Sequence, residues 1–389
     1  MAFSKQTVRD IDVKGKRVLV RAPLNVPIKD GSVTDEMRLK AVVPTLKYLL
    51  EHDAKLILMS HHSKEGVSLK PVAPALGSLL GKEVRFIPDC LDDACRQDIS
   101  QMKAGDIVML ENLRFHKQEE ANDDAFAKSL AELGEVYVDD DFTVMHREHA
   151  SVVGVPKHLP AVAGFLVEEE VTSITEALEN PKRPLLAIVG GAKISTKIEL
   201  LDNLLPKVDA ILVGGAMANT FFAADGKSVG KSLQEEDQHE LAERITKEAA
   251  DKGIQLFLPI DLVVSDSAEK PLHVRTVGID EVDPSEIIVD FGPKSVDQLK
   301  DMLAQKGTVI WNGPMGIAEV PEFAKGSQLL ADAIIESGAT SLIGGGDTAA
   351  FVDQAGIKDK FTFVSTGGGA SLELMSGKTL PGLAALRDR

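Results

Sequence analysis

Short apolar runs alternate with amphipathic stretches along almost the whole chain. Arg17–Pro27 (RVLVRAPLNVP), Ala54–His62 (AKLILMSHH), Gly105–Phe115 (GDIVMLENLRF) and Gly134–Phe142 (GEVYVDDDF) are apolar runs of strand length. Between them, 35–52 (DEMRLKAVVPTLKYLLEH) and 122–134 (NDDAFAKSLAELG) carry apolar residues at three- and four-residue spacing, which predicts helices. Gly134 is expected to close the second helix in the usual C-terminal position. Strands alternating with helices predict an α/β fold, a parallel sheet with both faces covered.

Residues 164–184 (GFLVEEEVTSITEALENPKRP) read as one helix stopped by Pro181 and Pro184, after which strand and helix resume. The expected organisation is therefore two doubly wound parallel-sheet domains, 1–163 and 185–369, joined by the helix 164–184. A tail, 370–389, is too short to be a domain and is expected to cross back over the first. At 389 residues the chain is too long for one ordinary core.

Four glycine-rich turns follow apolar runs in the second half: LLAIVGGAK (185–193), AILVGGAMANT (210–220), SLIGGGDTAA (341–350) and FTFVSTGGGASLEL (361–374). In each, a strand-like run meets glycines and then a sequence able to start a helix. That arrangement aims bare backbone N–H groups and a helix N-terminus at one point, where an anion is held. One such turn is ordinary corner-making; four together point to a phosphorylated ligand, a nucleotide by preference. GxxxxGK[ST] does not occur, since Gly226–Ser232 (GKSVGKS) has one residue too few between its glycines. Gly344–Ala349 fits GxGxxA, but late in the chain and among other glycine-rich strand ends, so hydride transfer is a distant option.

Charge narrows the partners. A net charge of −17 and a pI near 5.0 argue against general nucleic-acid or anionic-membrane binding. The start is polar, with no apolar leader-like run, and no stretch approaches the about 20 apolar residues that span a bilayer. Cys90 and Cys95 read as one polar helix turn; without a second Cys/His pair, a reduced cytoplasmic protein is the expectation. Against the acidic background, the expected strand ends of the first half collect Arg21 and Asn25, His61 and His62, Asn112 and Arg114, then His146 and Arg147, with Arg38 opening the first helix. Ligands of open parallel sheets bind beyond such ends, and guanidinium groups there suit a phosphate or carboxylate. In the second half Lys193 follows Gly190–Gly191, with Lys197 expected one helical turn later, and Asp347 follows Gly344–Gly346, placed either to reach a Mg²⁺ or simply to cap a helix.

From about residue 7 to residue 386 the chain resembles the phosphoglycerate kinase family. The resemblance rests on GGAKISTKIELLDNLLPKVD (190–209), GGAMANTFF (214–222), VGKSLQEED (229–237), LPIDLVV (258–264), VIWNGPMGIAE (309–319), GGGDTAA (344–350) and STGGGASLELMSGKTLPGLAAL (365–386). In the first half RAPLNVPIKDGSVTDEMRLKA, SLKPVAPALG, LENLRF and HREHASVVGVP carry it. The resemblance implies a monomeric, hinge-bending enzyme that moves a phosphoryl group between 1,3-bisphosphoglycerate and ADP. It implies that Arg21, Asn25, Arg38, His61, Arg114 and Arg147 hold 3-phosphoglycerate, and that Arg38, Lys193 and Lys197 serve the transfer. Lys193 and Lys197 would contact the nucleotide phosphates and Asp347 would hold Mg²⁺. Gly345, Gly346 and Thr348 would cradle phosphates with Asn312 nearby, and Gly191 would also contact the nucleotide. Gly214, Gly215, Gly292 and Pro314 would border the adenine, and Glu319 would accept from the ribose of ATP or ADP.

The departures lie mainly in the first half. The family has an acidic residue two positions after Arg21, where this chain has Pro23. Its His-Leu-Gly-Arg-Pro turn reads His61-His62-Ser63-Lys64-Glu65 here, so that the 61–66 loop departs, and the loop after the turn is shortened. Its Asp-Ala-Phe-Gly-Thr-Ala-His-Arg run reads Asp140-Asp141-Phe142-Thr143-Val144-Met145-His146-Arg147. Thr143 is expected to resist a glycine's conformation, and Asp141 to add negative charge beside an anion site. These changes keep two alternatives open: a kinase of the same fold with another carboxylate acceptor, and a nucleotide-binding protein with impaired catalysis.

Overall fold

The structure, a computed structural model, describes residues 3–389. They form two compact units: the chain up to Thr172 together with Thr379–Arg389, and Ser173–Lys378.

The first unit is built on a six-stranded parallel sheet. Its strands are β1 (Arg17–Arg21), β2 (Lys55–Met59), β3 (Arg85–Ile87), β4 (Ile107–Leu110), β5 (Val136–Asp139) and β6 (Ala161–Ala163), in the order β3-β4-β2-β1-β5-β6. Leu19, Ile57, Met109 and Val138 are fully buried, as a sheet covered on both faces requires. Strand order reverses between β1 and β5, where the register sets Arg21 beside Asp139. The crevice at such a reversal is the usual ligand position of an open α/β sheet.

The second unit holds another six-stranded parallel sheet: β7 (Leu185–Val189), β8 (Ala210–Val213), β9 (Gln255–Phe257), β13 (Thr308–Asn312), β14 (Thr340–Gly344) and β15 (Phe363–Val364), ordered β9-β8-β7-β13-β14-β15. An antiparallel three-stranded sheet, β10 (Leu262–Ser265), β11 (Val274–Val277) and β12 (Ile287–Phe291), interrupts the alternation. Here the order reverses between β7 and β13, and Asn312 is in register with Val189 and Gly344.

Element boundaries differ from the sequence reading for local reasons. β1 ends at Arg21 because Ala22–Val26 folds tightly back on itself, Ser60 Oγ bonding both Ala22 O (2.6 Å) and Leu24 N–H (3.2 Å). The helix expected at 122–134 covers Asp124–Ala131, opened by Asp123 accepting from Phe126 N–H at 2.8 Å. Gly134 is not its left-handed terminator: a Cβ there would stand 3.0 Å from the Leu19 Cβ, so glycine serves close approach to β1. The helix expected at 164–184 is Phe165–Glu179, its first turn satisfied by Asp140 Oδ1, which accepts from Leu166 N–H at 2.9 Å. The end of the chain lies on the first unit, with Lys5 paired to Asp388 (2.7 Å) and Gly382 N–H donating to Met145 O (2.9 Å).

Candidate functional sites in the two units

At the reversal between β1 and β5, sequence reasoning expects Arg21 to face an acceptor. Its side chain is instead fully buried, and each of its three nitrogens is engaged by a protein group. Nη1 pairs with Asp141 Oδ2 at 2.7 Å and reaches Ala22 O and Ser60 Oγ at 3.3 Å; Nε donates to Ser151 Oγ at 3.0 Å; Nη2 donates to His61 Nδ1 at 2.9 Å. Ser151 in turn donates to the buried Glu119, whose pKa burial raises. Arg21 thus lies under the site as its scaffold.

Two histidines, His61 and His149, and two further arginines, Arg114 and Arg147, lie close to one another near it. Burial and the neighbouring Arg21, Arg114 and Arg147 hold His61 far below the ordinary histidine range. His149 is lowered to about 4, first by burial and then by Arg114 and Arg147. Arg114 itself is pulled down by burial and by Arg147 and Arg21, against the opposing Glu120. Arg114 Nε pairs with Glu120 at 3.1 Å, but its Nη2 is buried with no hydrogen-bond partner. Mutually repelling guanidinium groups with an unused donor are poised for an anion. Arg147 is exposed beside them.

Asn25 and Arg38 belong to the next loop layer. Arg38, at the start of the helix Met37–Glu51, donates from Nη1 to Asn25 O at 2.7 Å, while Asn25 Oδ1 accepts from Ser63 N–H at 3.2 Å. His62 is tied to backbone at both nitrogens, Nε2 to Val26 O (3.2 Å) and Nδ1 to Lys64 N–H (3.1 Å). Asn112 Oδ1 accepts from His62 N–H and Arg114 N–H, at 3.1 and 3.0 Å, and so shapes the loop. The expected conflict at Thr143 does not arise. It lies in a 3-10 turn, Phe142–Val144, outside the left-handed region, and its hydroxyl donates to Asp141 Oδ1 at 2.5 Å.

The second unit carries a cavity of about 350 Å³ at the C-terminal ends of its strands. Gly191, Gly215, Pro314, Glu319 and Asp347 line it, as does an apolar wall of Leu233, Pro259, Val289 and Ile317 that sequence reasoning did not assign. Of that wall, Leu233 lies in VGKSLQEED and Pro259 in LPIDLVV, two of the segments that carried the resemblance. Two glycines expected at the adenine stand behind the lining: Gly214 is backed by Met315, and Gly292 by the Asp261 carboxylate. Thr348 is fully buried and its hydroxyl accepts from Gly313 N–H at 2.7 Å, which leaves only its backbone for a ligand.

Lys193 is exposed and Lys197 half-buried, on a loop rather than on one helical turn, because the helix begins at Ile198. Lys197 Nζ donates to Asn312 Oδ1, and its pKa is lowered by burial against the pull of Asp347. The helix Gly346–Gln354 starts beside it, its N-cap Gly345 at φ +89° supplying no side-chain cap. Its first N–H groups are therefore open at the positive end of the helix dipole. Asp347 is not that cap: it sits in the first turn, exposed, on the cavity. A lone exposed carboxylate next to an anion cradle suits Mg²⁺, which is bound by one or two carboxylates plus substrate phosphates.

The expected polar placement of Cys90 and Cys95 also changes: both are buried free thiols. The structure brings one ligand atom each of Asp89, Cys90 and His116 within 4.8 Å of one another. Burial keeps the Cys90 thiol protonated, and Asp89 Oδ1 is occupied by Cys90 N–H (2.5 Å) and Leu91 N–H (3.0 Å). No helix among the described residues is long and apolar enough to cross a membrane.

Two parallel-sheet units, one with a basic cluster and one with a phosphate-ready cavity, define an α/β phosphotransferase. A model of the family "Phosphoglycerate kinase" matches residues 8–378. Curated phosphoglycerate kinases from Dictyoglomus turgidum and Chloroherpeton thalassium are 47% and 48% identical, covering 100% and 99% of this chain and all of the relatives' length. The solved phosphoglycerate kinase of Coxiella burnetii superposes with a TM-score of 0.88 at 39% identity, over 98% of each chain. The chain belongs to the phosphoglycerate kinase family.

Proposed function

We propose that this glycolytic kinase holds the phosphoglycerate on its first unit and the nucleotide on its second, and that the two units close on each other for the transfer. A β-phosphate oxygen of ADP bonds to the phosphorus of the acyl phosphate of 1,3-bisphosphoglycerate as the bond from that phosphorus to the acyl oxygen breaks. The products are ATP and 3-phosphoglycerate. The departing group is a carboxylate, so no proton has to move and no general base is needed. Catalysis then rests on positioning and on neutralising spread negative charge.

In this reading Asn25, Arg38, His61, Arg114 and Arg147 bind the phosphoglycerate, with Arg38 and Lys193 on the transferring group. Lys197, Asn312 and the open N-terminus of Gly346–Gln354 take the nucleotide phosphates. Glu319 accepts from the ribose and Gly191, Gly215 and Pro314 border the base. Asp347 would hold Mg²⁺, which when bound neutralises phosphate charge. A cytoplasmic monomer is part of the same reading.

The observation that carries it is Arg114 Nη2, buried without a partner among mutually repelling cations in a chain of net charge −17. Near-half identity to full-length phosphoglycerate kinases supports 3-phosphoglycerate over another carboxylate. Calorimetry with 3-phosphoglycerate, glycerate and 2-phosphoglycerate on the parent chain and Arg114→Gln tests it. The expected result is preference for 3-phosphoglycerate and a roughly ten- to hundred-fold loss in the variant. Equal binding by the variant contradicts it.

A further inference from the structure

We propose that Asp141 is a positioning residue for the acceptor: by pairing with Arg21 it fixes the guanidinium that locks His61 as its Nε2–H tautomer. His61 then offers one hydrogen-bond donor, in a set direction, to the acceptor. The inference deepens the reading above and rests on it for the identity of the acceptor, though not for the tautomer.

The argument is geometric. A guanidinium has five donors and no acceptor. Arg21 Nη2 lies 2.9 Å from His61 Nδ1, so that nitrogen must present its lone pair, and the ring proton belongs on Nε2. An imidazolium would set two N–H groups against each other. Arg21 and Asp141 are fully buried and His61 is nearly so, so water offers no ready alternative partner. The bond is also directional, because the other Arg21 nitrogens are already committed to Ser151, Ser60, Ala22 and Asp141.

Asp141 is the one carboxylate hydrogen-bonded to Arg21 among the described residues. It comes from just beyond β5, across the strand-order reversal from Arg21, and Thr143 Oγ1 and the Asp139 carboxylate hold it at Oδ1 and at its backbone N–H. On the β1 side Pro23 offers Arg21 no side-chain acceptor. Pro23 and Asp141 thus stand at the two positions where the resemblance noted above departs, one without a side-chain acceptor and one with a carboxylate. The negative charge is therefore supplied from just beyond β5 and spent on Arg21. Burial and the surrounding arginines, which oppose a charged ring, act in the same direction.

The test uses the ligand-free full chain labelled with ¹⁵N-histidine. Long-range ¹H–¹⁵N spectra are expected to show His61 with a bare Nδ1 and a protonated Nε2, unchanged between pH 5 and 8. Asp141→Ala is expected to disturb that signature and to raise the KM for 3-phosphoglycerate at least ten-fold, leaving the KM for ATP within two-fold. If that variant does not fold, Asp141→Asn, of the same shape, carries both readouts. A parent His61 protonated on Nδ1, or a variant with unchanged spectrum and KM, overturns the proposal. A parent chain silent toward 3-phosphoglycerate would sink the functional reading alone, because the spectrum is recorded without it.

Discussion

Lys197 donates its ammonium group to Asn312 Oδ1, joining the loop after β7 to the end of β13 across the reversal of the second sheet. The bond orients the amide so that Asn312 Nδ2 is buried without a hydrogen-bond partner, close to where a side chain at Gly345 would stand. Two donors, one charged, are thereby set at the mouth of an open helix N-terminus.

Lys197→Ala should remove the charged donor and release the amide. A charge-assisted hydrogen bond is worth about 1.5–3 kcal/mol, so Mg·ADP affinity should fall roughly ten- to hundred-fold by calorimetry. The KM for 3-phosphoglycerate should stay within two-fold; equal losses on both sides would mean that Lys197 serves the fold rather than the nucleotide.

Gly215 has φ +65°, and a Cβ there would stand 2.6 Å from Gly191 O and 2.7 Å from Gly191 N. Gly215→Ala must therefore push two cavity-lining turns apart. We expect a loss of about 1–3 kcal/mol of stability in urea unfolding, with weakened ADP binding. Unchanged ADP affinity would mean that the turns do not shape the nucleotide cavity.

Pro23→Asp looks on paper like restoring a missing acid. Position 23 is buried, however, and Arg21 already has its carboxylate in Asp141. The substitution should lower stability by about 1–3 kcal/mol and leave kcat/KM for 3-phosphoglycerate no higher. A gain of ten-fold or more would show that Asp141 does not substitute for that acid.

Asp290 is pushed up to about 7 by burial, although Gly326 N–H and Phe291 N–H favour its charged form. Its folded pKa lies above the unfolded one, so the folded state binds the extra proton between about pH 4 and 7, and stability falls as pH rises through that window. Between pH 6 and 8 this group alone should cost about 1.4 kcal/mol. Asp290→Asn should flatten that part of the urea-midpoint profile; an unchanged slope would place the titration elsewhere.

The sequence made the parallel-sheet architecture legible because buried strands are continuous apolar runs, and LLAIV and AILV are fully buried as β7 and β8. The glycine turns at Gly191, Gly215 and Gly345 were legible because all three take positive φ. What stayed hidden were side-chain directions. Arg21, at a strand end, reads as a ligand contact until the register shows it buried against Asp141, 120 residues away. Thr348 reads as a phosphate ligand until its hydroxyl is found on Gly313. Gly134 reads as a helix stop, though it is the packing of Leu19 that demands it. Each of these depends on a partner distant in sequence, which local pattern does not encode.

The most direct test of the account is steady-state ATP consumption by the unmodified chain with 3-phosphoglycerate and Mg²⁺. Saturable turnover at ordinary enzyme rates, roughly 1–1000 per second, that stops when 3-phosphoglycerate is omitted is the predicted result. No turnover with 3-phosphoglycerate, in a preparation that still binds Mg·ADP, would contradict it.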